Sequence, residues 1–187
     1  DQFCDWNKLA DKSVKITVLN DNTTDDATKL GAIGDIQFVI DKMNIEDDIL
    51  VMASDNIFTF ELVDFYNVFK NKSKDMILVS EIENREDLKR MANVVMDEDC
   101  KVLDMVEKPA EPISNIAAFA SYLYTKDTVP MFKTYLDEGN NPDAPGFFPS
   151  WLYKQKDVYA YCFSGECYDI GTPQAYEEVG KIFSSEE

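Results

Sequence analysis

Residues 48–82 read DILVMASDNIFTFELVDFYNVFKNKSKDMILVSEI, and their periodicity decides the fold class. "DILVMA" (48–53) and "DMILVSEI" (75–82) are short aliphatic runs of the kind that form buried strands. Between them, "FELVDFYNVFKNK" (60–72) repeats apolar residues at helical spacing. The first run stops at Ser54-Asp55-Asn56, and apolar residues resume at Ile57. A carboxylate at the carboxyl end of a buried strand lies where ligands bind in α/β sheets. An Asx turn that leads into the next helix uses the same letters.

Working outward, "VKITVL" (14–19) reads as a strand preceded by a helix at 2–10. "ATKLGAIGDIQFVIDKM" (27–43) reads as a helix, with "TTDD" upstream as its N-cap candidates. Downstream, a short helix at 85–92 is followed by a hairpin over 93–109 around "DEDC". A strand at 115–125 and helices at 126–138 and 147–155 come next. "VYAYCF" and "CYDI" (158–170) read as a second antiparallel pair, and a terminal helix starts near Pro173 with Thr172 as its N-cap. Strand–helix alternation followed by hairpins predicts a single α/β domain over residues 1–187, a three-layer sandwich with a mixed, mainly parallel sheet.

Aspartate and glutamate number 36 against 18 lysines and arginines, a formal charge of −18. Such a chain repels nucleic acid and anionic membranes, and a phosphorylated ligand would need local cations or a metal ion. The absence of histidine excludes Ser-His and Cys-His catalysis and histidine-rich zinc sites. The four cysteines form no C-x-x-C pair. Cys162 and Cys167 flank a turn that a bridge would span, but free thiols in a reducing cytosol are the expectation. No apolar run approaches the length of a membrane span, so a soluble cytoplasmic protein is expected.

Three further stretches carry candidate chemistry. "VEKPAEP" (106–112) ends a strand with Glu107, Lys108 and two stiffening prolines, although an exposed ion pair explains the same letters. "CYDIGTP" (167–173) places Asp169 before a Gly-Thr-Pro helix start. Asp169 gains meaning only beside a second carboxylate, since Mg²⁺ is commonly held by one or two carboxylates and ligand phosphates. "EGNNPDAPGFFPSWLY" (138–153) reads either as a loop ordering a helix against the core or as an oligomer contact, which leaves a homo-oligomer open. No Gly-rich phosphate loop is present, and "GAIG" (31–34) lies within a helical pattern.

"LGAIGDI", "DNIF" after a strand, "VEKP", "GNNPDAPG" and "YDIGTP" follow one another as in the sugar-phosphate nucleotidyltransferases. Over residues 14–184 the chain resembles the branch labelled glucose-1-phosphate thymidylyltransferase or NDP-sugar synthase. The resemblance implies synthesis of an NDP-sugar, dTDP- or UDP-glucose, from a sugar 1-phosphate and a nucleoside triphosphate with release of pyrophosphate. It makes Asp55 and Asp169 the Mg²⁺ ligands and, with Lys108, the catalytic residues. Glu107 would bind sugar hydroxyls and Lys108 the sugar phosphate. Asn56 and Ser121 would border the substrate, and Gly31, Gly34 and Asp35 would lie against the nucleotide base. Relatives open with a strand and a G-x-G-T-R-L loop that this sequence lacks, so the domain reads as N-terminally incomplete and the isolated chain as inactive. Ser54, Asn93 and Ser121 stand where relatives carry glycine, and Ser54 is expected to crowd the pocket that Asp55 would serve. The rival reading is a diverged, non-catalytic member acting as a ligand-binding, regulatory or assembly subunit.

Overall fold

The computed structural model describes residues 15–184, so the helix expected at 2–10 lies outside the described residues. The elements are α1 (Ala32–Met43), β1 (Ile49–Met52), β2 (Asn56–Phe58), α2 (Leu62–Lys72), β3 (Asp75–Glu81) and α3 (Arg85–Leu88). They continue with β4 (Ala92–Met96), β5 (Val102–Glu107), β6 (Ile116–Tyr124), α4 (Met131–Asp137) and α5 (Phe147–Leu152). β7 (Val158–Cys162), β8 (Cys167–Asp169) and α6 (Pro173–Ser184) complete the set.

Six strands form one sheet in the order β5-β4-β6-β3-β7, with β1 also on β6. The sheet is mixed, as expected. β1, β3, β4 and β7 run one way, and β5 and β6 run the other. Because β6 stands among strands of the opposite direction, the parallel character shows in strand direction, and among the described residues only β3–β7 is a parallel ladder. β3 occupies one edge of β6; the other edge is divided, with Ala117–Ala118 bonded to β4 and Ser121–Tyr124 to β1.

Helices cover both faces. Ile33 and Ile40 of α1, Phe132 and Tyr135 of α4, and Phe148 and Leu152 of α5 share one core with Ile77, Val79, Tyr122 and Tyr124 of the sheet. Phe65 and Phe69 of α2 pack with Met76, Leu78 and Leu123 on the other side. Phe132 and Phe148 stack at 3.8 Å between ring centroids, so residues 147–152 form a helix seated on the core.

Three expectations are corrected. Lys15–Leu19 is not a strand: its exposure alternates, but no strand among the described residues offers it a ladder, and an apolar pattern alone cannot satisfy the backbone. α1 begins at Ala32 rather than near residue 27, because Gly31 has φ 78° and the Asp25 carboxylate turns the chain by accepting the amides of Ala27 and Thr28. β7 and β8 do not pair with each other; β7 lies beside β3, while β8 joins β2 in a separate two-stranded sheet. Phe163 in the connection stacks on Phe60 at 4.4 Å, which anchors the crossing between sheets.

Asp75 at the start of β3 is fully buried. Its carboxylate accepts the Thr125 amide (2.8 Å) and hydroxyl (3.0 Å), the Thr128 hydroxyl (2.7 Å), and the Lys156 ammonium (2.9 Å). These bonds fasten β3 to the turn leaving β6 and to the approach to β7, and explain why residues 125–130 turn instead of continuing α4 upstream. Removing one member of such a network strands the others in a medium that cannot solvate them. Asp75→Ala is therefore expected to cost about 3–5 kcal/mol of unfolding free energy. Lys29→Ala, which breaks the exposed pair with Asp143, is expected to leave the denaturation midpoint unchanged. Parallel urea titrations of the two variants check both statements.

Candidate functional site

β1 ends against β6, and the Ala53 amide extends the ladder by donating to the Ala120 carbonyl at 2.9 Å. The chain then turns at Ser54-Asp55 and enters β2, so the apolar residues after Asn56 begin a strand rather than a helix. In the β2–β8 ladder Asn56 stands opposite Asp169, which brings together two carboxylates more than a hundred residues apart in sequence. The Asp55 carbonyl accepts the Ile170 amide at 2.8 Å, tying the two turns. Asn56 donates to Asp55 Oδ1 at 2.9 Å, and Asp169 Oδ1 accepts the Gly171 amide at 2.8 Å. A Cβ on Gly171 would lie 3.0 Å from both Asp55 Oδ2 and Asp169 Oδ1. The glycine thus leaves open a small volume that two carboxylate oxygens face, and neither is ion-paired among the described residues.

Asp55, Asn56 and Asp169 line one side of a cleft of about 530 Å³. Its floor is Ala53, Ala118 and Ala120, where β1 and β4 part along β6; small side chains there keep the sheet accessible. Glu107, the last residue of β5, and Lys108 line the opposite side. Lys108 has φ 47°, and its amide donates to the Met91 carbonyl at 3.2 Å, so the chain leaves β5 in a fixed left-handed turn. Glu107 accepts no hydrogen bond from the described residues, and burial raises its carboxyl above the ordinary 4.5, with Lys108 partly opposing. A Cβ on Gly146 would sit 1.9 Å from Glu107 Oε2; Gly146 therefore seats this carboxylate at the start of α5.

The other candidates lie elsewhere. Gly31 packs against the Pro142 carbonyl, which with that of Asp143 accepts the first amides of α1, and Gly34 faces Leu30. Asp35 lies beside Asp21, with its carboxyl raised by burial and then by that neighbour. None of the three lines the cleft. Ser121 is buried in β6 with an unpartnered hydroxyl, and Asn93 turns its amide to the Leu88 and Met91 carbonyls. Ser54 is exposed. These three also stay out of the cleft lining, so the crowding expected of Ser54 is not seen.

Reading the sequence alone missed Arg90, Tyr122 and Gly146, all of which line the cleft. Gly146 stood within the quoted "GNNPDAPG"; the others carry no local signal. Cys167, also in the lining, is a free thiol whose acidity burial and Asp169 suppress, pushing its pKa to about 12. It is not a nucleophile at neutral pH. Cys100 and Cys162 are free as well, as expected.

The raised Glu107 carboxyl makes stability pH-dependent. A carboxyl whose pKa is higher folded than unfolded favours the fold most below the ordinary 4.5, and that contribution is lost as pH rises through the folded value. Glu107→Gln is therefore expected to melt above the wild type at neutral pH, with the difference vanishing below pH 4.5. Thermal melts across that range measure it.

Residues 3–186 match the family described as nucleotidyl transferase. A glucose-1-phosphate adenylyltransferase of Geobacillus stearothermophilus is 30% identical over 140 residues, which are 71% of this chain and 35% of that protein. The one from Thermomicrobium roseum is 26% identical over 146 residues, 75% of this chain and 33% of that protein. The chain thus spans about a third of the length of these curated relatives. UDP-glucose pyrophosphorylase complexed with UDP-glucose has the same fold, with a TM-score of 0.71 at 20% identity over 84% of this chain and 63% of that one. So does a putative glucose-1-phosphate thymidylyltransferase from Bacillus anthracis in complex with a sucrose, with a TM-score of 0.62 at 23% identity over 79% and 58%. No helix among the described residues is long and apolar enough to cross a membrane. A family match over nearly the whole sequence, carried by an α/β sheet with a carboxylate-lined cleft, means that the chain belongs to the nucleotidyl transferase family, in the sugar-phosphate branch that its motifs resemble.

Proposed function

We propose that this chain contributes the sugar-phosphate side of an NDP-glucose-forming site in the cytoplasm. The observation that carries the reading is the convergence of Asp55, Asn56, Glu107, Lys108 and Asp169 on one cleft from three separate parts of the chain. Glu107, without a donor among the described residues, accepts hydrogen bonds from sugar hydroxyls. Lys108, held by its rigid turn, meets the phosphate of a sugar 1-phosphate.

Asp55 and Asp169 hold Mg²⁺. The all-oxygen donors and the space that Gly171 leaves between them suit a hard cation that completes its shell with water and ligand phosphate. When bound, Mg²⁺ supplies charge neutralisation for the phosphate oxygens. In-line attack of a sugar phosphate on a nucleoside triphosphate needs positioning and charge stabilisation, which a chain without histidine can provide. The product is dTDP- or UDP-glucose in our reading, with ADP-glucose as the rival that the names of the curated relatives favour.

The isolated chain is expected to release no pyrophosphate from glucose 1-phosphate with dTTP, UTP or ATP, yet to bind glucose 1-phosphate in a Mg²⁺-dependent manner. Pyrophosphate release that Asp55→Ala abolishes would overturn the first expectation; binding indifferent to Mg²⁺ would overturn the metal assignment. Calorimetry of Asp55→Asn and Asp169→Asn is expected to show loss of the Mg²⁺ dependence in each. Gly146→Ala suits its backbone (φ −71°, ψ −14°) but displaces Glu107, and should weaken glucose 1-phosphate binding by roughly tenfold or more at little cost in stability.

A further inference from the structure

Four carboxylates (Asp55, Asp87, Glu107 and Asp169) line the cleft, in a chain with a net charge of −18. A phosphorylated ligand entering such a field needs more than one cation, and a single lysine is a point charge without directional grip. Arg90 lines the same cleft as Lys108. The Lys108 amide bonded to the Met91 carbonyl at 3.2 Å sets the backbone next to Arg90 directly against Lys108. Arg90 follows α3, and its amide donates to the Asp87 carbonyl at 2.9 Å, which fixes the turn it leaves from. Its guanidinium forms no salt bridge among the described residues. Glu86, on the short helix before Arg90, is engaged by Lys89 at 2.8 Å.

We infer that Arg90 and Lys108 together form a two-cation seat for a phosphate monoester, in which Arg90 supplies bidentate contacts to the phosphate oxygens. This rests on the sugar-phosphate reading above and deepens it by naming a second phosphate-binding residue. Arginine matches tetrahedral oxyanions through paired N–H donors, and hydrogen bonds to charged groups are the strong ones. The ammonium of Lys108 contributes charge; the guanidinium of Arg90 contributes charge and orientation.

The test is calorimetric titration of the full chain with inorganic phosphate and with glucose 1-phosphate, both in the presence of Mg²⁺. Arg90→Ala is expected to weaken both ligands by roughly ten- to a hundredfold. Arg90→Lys is expected to recover only part of that loss, because it restores the charge but not the paired donors. Lys133→Ala, which removes the same charge from an exposed pair outside the cleft, is expected to leave affinity unchanged, and melting temperatures show whether each variant stays folded. If Arg90→Ala binds both ligands as the wild type does, or Lys133→Ala weakens them equally, the two-cation seat is wrong while the sugar-phosphate reading stands. If the wild type binds neither ligand, both fall together.

Discussion

The structure depends on how β6 divides one of its edges. β3 takes the other edge along most of its length, so β4 and β1 must share what remains, one at Ala117–Ala118 and one at Ser121–Tyr124. Two strands that bond to the same edge at different heights leave a gap between them. That gap, floored by alanines, is the cleft. Three of its carboxylates reach it from strand ends: Asp55 beyond β1, Glu107 at the end of β5, Asp169 at the end of β8.

The rest of the fold holds these ends in place. Asp75 and its hydroxyl and ammonium partners lock the start of β3 to the exit of β6, at the far end from the cleft. The stacked Phe132 and Phe148 seat α5, and Gly146 at the head of α5 meets Glu107. The loop before α5 also supplies the carbonyls that accept the first amides of α1. One segment, 138–153, therefore couples a helix start, a core contact and the position of a site carboxylate.

Charge shapes the function as much as shape does. A net charge of −18 argues against polyanionic partners, yet the family acts on phosphorylated substrates. The cleft holds both signs of charge: Asp55, Asp87, Glu107 and Asp169 line it together with Arg90 and Lys108.

Local periodicity was enough to place most helices and strands, because apolar residues at spacings of two or 3.6 must face a core whatever their neighbours are. It also exposed the strand-end carboxylates, since a buried run that stops on Asp55 needs a reason. It erred where a partner decides the outcome. Residues 15–19 have a strand pattern but no ladder among the described residues, and "VYAYC" and "CYD" look like a hairpin yet join different sheets. The sequence by itself determined the α/β class, the motif order and the placing of Asp55, Glu107, Lys108 and Asp169 at strand ends. Only the tertiary structure decided that these residues share one cleft with Arg90 and Gly146, that Gly31, Gly34, Asp35 and Ser121 stay outside it, and that Ser54 and Asn93 leave it open. The reason is physical: which residues meet depends on strand pairing and crossing, interactions between distant segments that no local spacing encodes.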